Sequence, residues 1–279
     1  MYSGFITPPD DPRAHFSVLF WHKDGFSTAC GHGTIALGFW AICHSLVKVS
    51  AANETVDVVV DVPSGRVVAR MGIEQGIPIH ADFINVTSFQ LAKALSVTVT
   101  SCGADMSVDL AFAGAVYASV DAAQVGLKIE PHNADRFIQL AREVKRLLAT
   151  RAHYGSYDCY RVIFFSDKAD GQDNKQAITQ RNVTVFADGQ IDRSPCGSRT
   201  CARLAILLAQ GKLGSRCSKL LHRSIIGSEF KADIVSKAHS PVQGFPACIP
   251  HVRSQANLVG RMKFFIDPED DLFPSFLLQ

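Results

Sequence analysis

The sequence predicts a mixed α/β fold in two similar lobes, and three observations predict it. A Cys-Gly-x-x-Thr opening followed by an apolar run occurs twice: STACGHGTIALGFWAICHSLV from Ser27 to Val47, and DRSPCGSRTCARLAILLAQGKL from Asp192 to Leu213. Around both copies lie short β-branched and aromatic runs separated by turn residues. Between them, Asn133 to Thr150 carries apolar residues at helical spacing with Arg142, Lys145 and Arg146 interleaved. One reactive-group motif used twice suggests two lobes facing each other across a cleft. Many strands with two buried helices and one covering helix make the mixed architecture.

The elements follow in order. Met1 to Pro12 is turn-rich, so HFSVLFW, His15 to Trp21, is expected as a strand with no earlier partner, followed by a turn at 22–25. From Gly33, Ile35, Ala36, Leu37, Phe39, Trp40, Ile42 and Cys43 surround all faces of a helix, which predicts burial on every side. Strands are expected at Thr55 to Val62, Gly65 to Met71, Ile77 to Val86 and Ser96 to Thr100, and a strand pair or bent strand at Val108 to Val120. After the amphipathic helix come a strand at Tyr160 to Phe165, a polar loop at Ser166 to Gln176, a strand at Thr179 to Phe186 and the second helix, stopped by Gly211. Short strands at Gly227 to Val235, Ala247 to Val252 and Lys263 to Ile266 complete the chain.

Composition narrows the function classes. With 279 residues, 47% hydrophobic and 19% charged, the chain is globular and long enough for two lobes. A net charge of +2 without a Lys/Arg run offers no footprint for nucleic acid. No apolar stretch is long enough to span a bilayer and the N-terminus does not read as a secretion signal, so a soluble, cytoplasmic protein with no membrane partner is expected. The eight cysteines (30, 43, 102, 159, 196, 201, 217 and 248) are scattered through apolar patterns and read as free thiols.

Cys30 and Cys196 stand apart, because each precedes a glycine and a helix start. A helix N-terminus lowers a thiol's pKa, and the unpaired N–H groups of the first turn can hold a carboxylate. Two facing copies would hold an amino-acid carboxylate between two thiols, one removing the Cα proton and the other returning a proton from behind. That geometry gives racemisation or epimerisation. His32 and Asp192 flank the cysteines, placed to bind the substrate amine or tune the thiols. No second Cys/His pair at finger spacing points to a metal, and no Gly-rich fingerprint points to a nucleotide cofactor.

ACGHGTIALG (Ala29 to Gly38) and DRSPCGSRTCARLA (Asp192 to Ala205) resemble the two active-site blocks of the proline racemase superfamily, which includes hydroxyproline epimerases and trans-3-hydroxy-L-proline dehydratases. VDLAFAGAVYASVDA, NVTVFADGQ and FFIDPEDDLFPSFLL extend the resemblance to nearly the whole chain. It implies a diaminopimelate-epimerase-like fold, each lobe a curved mixed sheet around a central helix, with the active site between lobes. The expected boundaries are 1–104 plus 255–279 for the first lobe, incomplete at its N-terminus, and 105–254 for the second. It further implies cofactor-independent catalysis by Cys30 and Cys196, and a carboxylate site from the N–H groups of Gly31, His32, Gly197 and Ser198. His32 and Asp192 would contact the ring nitrogen, Tyr2 and Phe186 would wall the ring, and the molecule would be a homodimer.

Cysteine at the second position is the racemase and epimerase pattern, where the typical 3-hydroxyproline dehydratase has threonine. The text around both motifs looks closer to eukaryotic dehydratase-like members, so dehydration stays open beside inversion. Three departures stand out. Family members carry a further segment, with a His-Thr-x-Gly-Glu-Pro block, ahead of the point where this sequence starts, and a truncated, inactive relative is the third alternative. Arg199 stands where a small residue is usual, either crowding the helix start or binding an acidic substrate, and Ala113 replaces a usual glycine.

Overall fold

The computed structural model describes residues 2–271 apart from 10, 24, 168–176, 215–217, 264 and 266. Its first sheet is built from β1 (Ser3–Thr7), β2 (Phe16–His22), β3 (Gly25–Ser27), β4 (Glu54–Val62), β5 (Gly65–Glu74) and β6 (Ile77–Ile84). Helix α1 (Gly31–Cys43) packs on β4, β5 and β6. Alternate residues of β4 and β5, including Val58, Val60, Val67, Ala69 and Met71, are buried, as expected of strands with one face on a core.

The second sheet comprises β7 (Ser88–Val99), β8 (Ala104–Phe112), β9 (Val116–Asp121), β11 (Tyr157–Ser166), β12 (Ala177–Phe186), β14 (Lys219–Arg223), β15 (Glu229–Ala238) and β16 (Ala247–Ser254). The short strands β10 (His153–Tyr154) and β13 (Gln190–Ile191) pair with β11 and β12. This sheet closes: β16 pairs back to β7 through Ala247 with Phe89 and Cys248 with Ser88. Inside the ring lies α3 (Gly197–Ala209), buried at every residue from Gly197 to Leu207. Outside it, α2 (Ala134–Leu148) lays Phe137, Leu140, Ala141, Val144 and Leu148 on the sheet and leaves its basic residues to solvent, as its periodicity predicts. Strand β16 also pairs with β6, joining the two sheets, and Arg253 clamps Asp82 there with two hydrogen bonds of 2.6 Å.

The architecture is the expected mixed α/β one, with differences in detail. Strand β1 exists and pairs antiparallel with β2, so His15 to Trp21 is not without an earlier partner. Strand β7 begins at Ser88, eight residues ahead of the expected start at Ser96, and β14 was not anticipated. The Val108 to Val120 segment resolves into β8 and β9. Residues 263 and 265 are not in a strand, while 264, 266, Cys217, 272–279 and most of the polar loop lie outside the described residues.

Helix α1 is not enclosed on every side. Ala36 and Cys43 are exposed and Leu37, Phe39 and Trp40 half-buried, along a groove of about 660 Å³ shared with 77–79 and 255–260. The physical reason is topological: among the described strands the ring around α3 closes, and those behind α1 do not. Because β7 pairs with β8 and packs on α3, while Gln255 bonds the Ile79 carbonyl, we propose that the lobes divide after β6 rather than at residue 104.

Candidate active site

The two motifs fold alike because each residue type in Cys-Gly-x-x-Thr has a local task. Cys30 and Cys196 occupy the N-cap positions of α1 and α3. The motif threonines bond back to them: Thr34 Oγ1 donates to the Cys30 carbonyl at 3.0 Å and Thr200 Oγ1 to the Cys196 carbonyl at 2.7 Å. The glycines let the helix starts touch. A Cβ on Gly31 would lie 2.8 Å from both Gly197 Cα and Ser198 N, and one on Gly197 would lie 2.9 Å from Gly31 Cα. Neither helix has a side-chain cap or an acidic residue in its first turn, so both dipoles point their positive ends, uncompensated, at the junction.

Cys30 and Cys196 are buried, 2% and 0% exposed. Cys30 has extended backbone, whereas Cys196 sits at φ 62° and ψ 129°, a region that L residues rarely adopt. Such a conformation costs ~1–3 kcal/mol and persists only where the surroundings impose it. Here Ser194 imposes it: its Oγ donates to Asp192 Oδ1 at 2.9 Å and accepts from the Cys196 N–H at 3.0 Å.

The remaining residues expected at the site converge on this point. Tyr2 lies 5.5 Å from Phe186 and 5.5 Å from His32, ring centre to ring centre. His32 Nδ1 lies 3.4 Å from Asp192 Oδ2, a carboxylate held well below its usual range despite burial by His32 and by Arg199. Burial opposes a charge on His32, but Cys30 and Asp192 outweigh it and raise its pKa well above the ordinary value. Burial likewise opposes a Cys196 thiolate. Arg199, a hydrogen bond from His32 and Arg161 outweigh it, bringing the thiol down from 9.0 to about 7. Ser198 accepts a 2.8 Å hydrogen bond from the Tyr117 hydroxyl. His32, Asp192 and Cys196 each offer one ligand atom within 4.8 Å of the others, a set that could hold a metal ion. Arg161 and Arg199 flank the same atoms, and their charge makes the cluster more receptive to an anion.

A family model described as proline racemase matches residues 1–276. The chain belongs to the proline racemase family. It is 35% identical over 284 residues to the trans-3-hydroxy-L-proline dehydratase of Bacillus thuringiensis subsp. konkukian, covering 100% of this chain and 81% of that protein. It is 32% identical over 287 residues to the proline racemase of Clostridioides difficile, covering 100% of this chain and 82% of that one. A crystal structure of a hydroxyproline epimerase from Agrobacterium vitis, with bound trans-4-hydroxy-L-proline, superposes with a TM-score of 0.87 at 26% identity, covering 99% of this chain and 78% of that one.

Several residues of the candidate site in this proline racemase family member escape a reading of the motifs. Arg161, on β11, is 1% exposed, with Nη1 3.9 Å from Cys196 Sγ and its guanidinium 4.9 Å and 5.0 Å from the Tyr2 and Phe186 ring centres. His222, on the unanticipated β14, is fully buried and accepts at Nε2 from Asn182 at 2.8 Å, leaving Nδ1–H to donate to Thr200 Oγ1 at 2.9 Å. Burial, with Arg203 and Arg199 nearby, brings its pKa down to about 3, so it is a neutral strut for the start of α3. Tyr117 and Ser194 are ordinary strand and turn residues in the sequence. The only signal for any of these is a lone Arg or His inside an apolar run. Among the other described cysteines, Cys43, Cys102, Cys159, Cys201 and Cys248 are free and lie in neither motif's N-cap.

Proposed function

We propose that the protein abstracts the Cα proton of a free cyclic imino acid of the proline class, proline or hydroxyproline, and inverts that carbon using Cys196 and Cys30. The observation that carries this reading is the abutment of two thiol-bearing helix N-termini at Gly31 and Gly197. The substrate carboxylate takes the N–H groups of Gly31, His32, Gly197 and Ser198, which also stabilise the negative charge that develops as the proton leaves. Cys196, substantially thiolate at neutral pH, removes the Cα proton, and the Cys30 thiol delivers one to the opposite face; the reverse reaction exchanges their roles. Protonated His32 supports the thiolate and cannot serve as the base, and Asp192 receives the ring ammonium. Tyr2 and Phe186 wall the ring.

A second reading is dehydration of trans-3-hydroxy-L-proline, supported by the likeness to the Bacillus thuringiensis dehydratase. In that case one thiolate takes the Cα proton while the 3-hydroxyl leaves with a proton as water, giving a pyrroline carboxylate. Incubation with each substrate in D2O separates the two. Deuterium at Cα with inversion supports the first; water loss with a new imine absorbance supports the second. Undiminished turnover after Cys30→Ser or Cys196→Ser would refute the two-thiol mechanism. A soluble protein that turns over none of these substrates would favour an inactive relative.

A further inference from the structure

The charge buried beside Cys196 is lopsided. Arg199 is 0% exposed, and among the described residues no hydrogen-bond acceptor meets any of its three guanidinium nitrogens; Asp192 Oδ2 lies 3.7 Å from Nη2. Arg161 brings a second buried guanidinium to the same place, with Nη1 3.9 Å from Cys196 Sγ. Among the described residues one carboxylate, Asp192, faces this pair, with Oδ2 shared between Arg199 Nη2 at 3.7 Å and His32 Nδ1 at 3.4 Å. Desolvated charge of one sign requires a partner of the other. A zwitterionic imino acid cannot supply it, because its carboxylate is cancelled by its own ring ammonium.

Location adds to the charge count. The Arg161 guanidinium lies against Tyr2 and Phe186, and Arg199 Cζ lies 5.7 Å from the Phe186 ring centre. Both cations therefore lie against the aromatic walls assigned to the substrate ring as well as beside the start of α3, where Arg199 is the third residue and Arg161 Nη1 lies 3.9 Å from Cys196 Sγ. A ring substituent bearing negative charge would meet them. We infer that the preferred substrate is a cyclic imino acid with a second carboxylate on its ring, received by Arg199 and Arg161. The inference rests on the proton-transfer reading above for the placement of the ring, and it replaces the hydroxyl of hydroxyproline with an acid group as the feature selected. Guanidinium matches carboxylate geometry with paired N–H donors, which is the donor set that Arg199 leaves unused.

The test compares L-proline, trans-4-hydroxy-L-proline and the cis and trans isomers of pyrrolidine-2,4-dicarboxylate, by calorimetric binding and by Cα deuterium exchange on the full chain. The expected result is binding of one dicarboxylate isomer at least ~10-fold tighter than proline, as for a charge-assisted pair worth ~1.5–3 kcal/mol. Arg199→Gly should abolish that preference and Arg199→Lys should retain part of it. Equal or tighter binding of proline by the unmodified protein overturns the inference without recourse to any variant, as does failure of both dicarboxylates to bind. If a dicarboxylate binds preferentially and no compound exchanges its Cα proton, the acidic-ligand inference stands and the proton-transfer reading falls. If proline exchanges freely and the dicarboxylates neither bind nor exchange, the outcome is the reverse.

Discussion

Replacing Gly31 with alanine tests whether catalysis depends on the contact between the two helix starts. The new Cβ would lie 2.8 Å from Gly197 Cα, Ser198 N and Phe83 Cε1, where ordinary contact begins at 3.4 Å. Two of the three atoms are backbone and cannot rotate away, so the helices must part by about 0.6 Å. Overpacking of this kind costs ~1–3 kcal/mol and lowers Tm by several degrees without unfolding the chain. Catalysis should suffer more, because a displacement of ~1 Å between reacting groups can cost ~100-fold. A fall of ~10–100-fold in Cα exchange is expected. Gly38→Ala, on the same helix but away from the thiols, is the control: its Cβ meets the Met71 sulfur and Ala69 Cβ of β5, and it should lower Tm while leaving exchange near normal. Exchange by Gly31→Ala at the wild-type rate would refute the claim that the glycine pair sets the thiol spacing.

Two further outcomes follow from the electrostatics. Since Cys196 is lowered from 9.0 to about 7 and the thiolate is the active form, kcat/KM for exchange should rise with pH and level off above about 7. A profile flat through neutrality would remove Cys196 as the base. The Arg253 clamp holds Asp82 below its ordinary 3.8, so it contributes stability that is present above that value and lost as pH falls through the lower folded one. Asp82→Asn should therefore cost ~1–3 kcal/mol in urea unfolding at neutral pH, with the deficit shrinking in acid. An equal deficit at both pH values would show that packing, not charge, joins β6 to β16.

Much of the fold was legible because local patterns and tertiary context agree. Helix α2 carries its burial stripe in its own periodicity, and β4 and β5 show half-buried alternation. Strand β1 was hidden because its residues are exposed throughout and form a strand only by pairing with β2. Helix α1 has an apolar composition that predicts enclosure, yet enclosure depends on whether the surrounding sheet closes, which no local pattern encodes. The candidate site divides the same way. Cys30, Gly31, His32, Asp192, Cys196, Gly197 and Ser198 stand in two motifs whose repetition makes them visible. Arg161 and His222 do not, because a single polar residue in a strand ordinarily turns to solvent.

By itself, then, the amino-acid sequence determined the chemistry available: two thiols, each followed by a glycine, a helix start and a threonine that bonds back to the cysteine carbonyl. Those interactions are local, within four residues, and a motif can carry them. Only the tertiary structure decided that the two helix starts touch, that Cys196 is held at φ 62° by Ser194, and that Arg161 and Arg199 are buried together against Tyr2 and Phe186. The electrostatic part of that arrangement exists only because residues far apart in sequence are excluded from water at one point, where charges are felt much more strongly than in solvent.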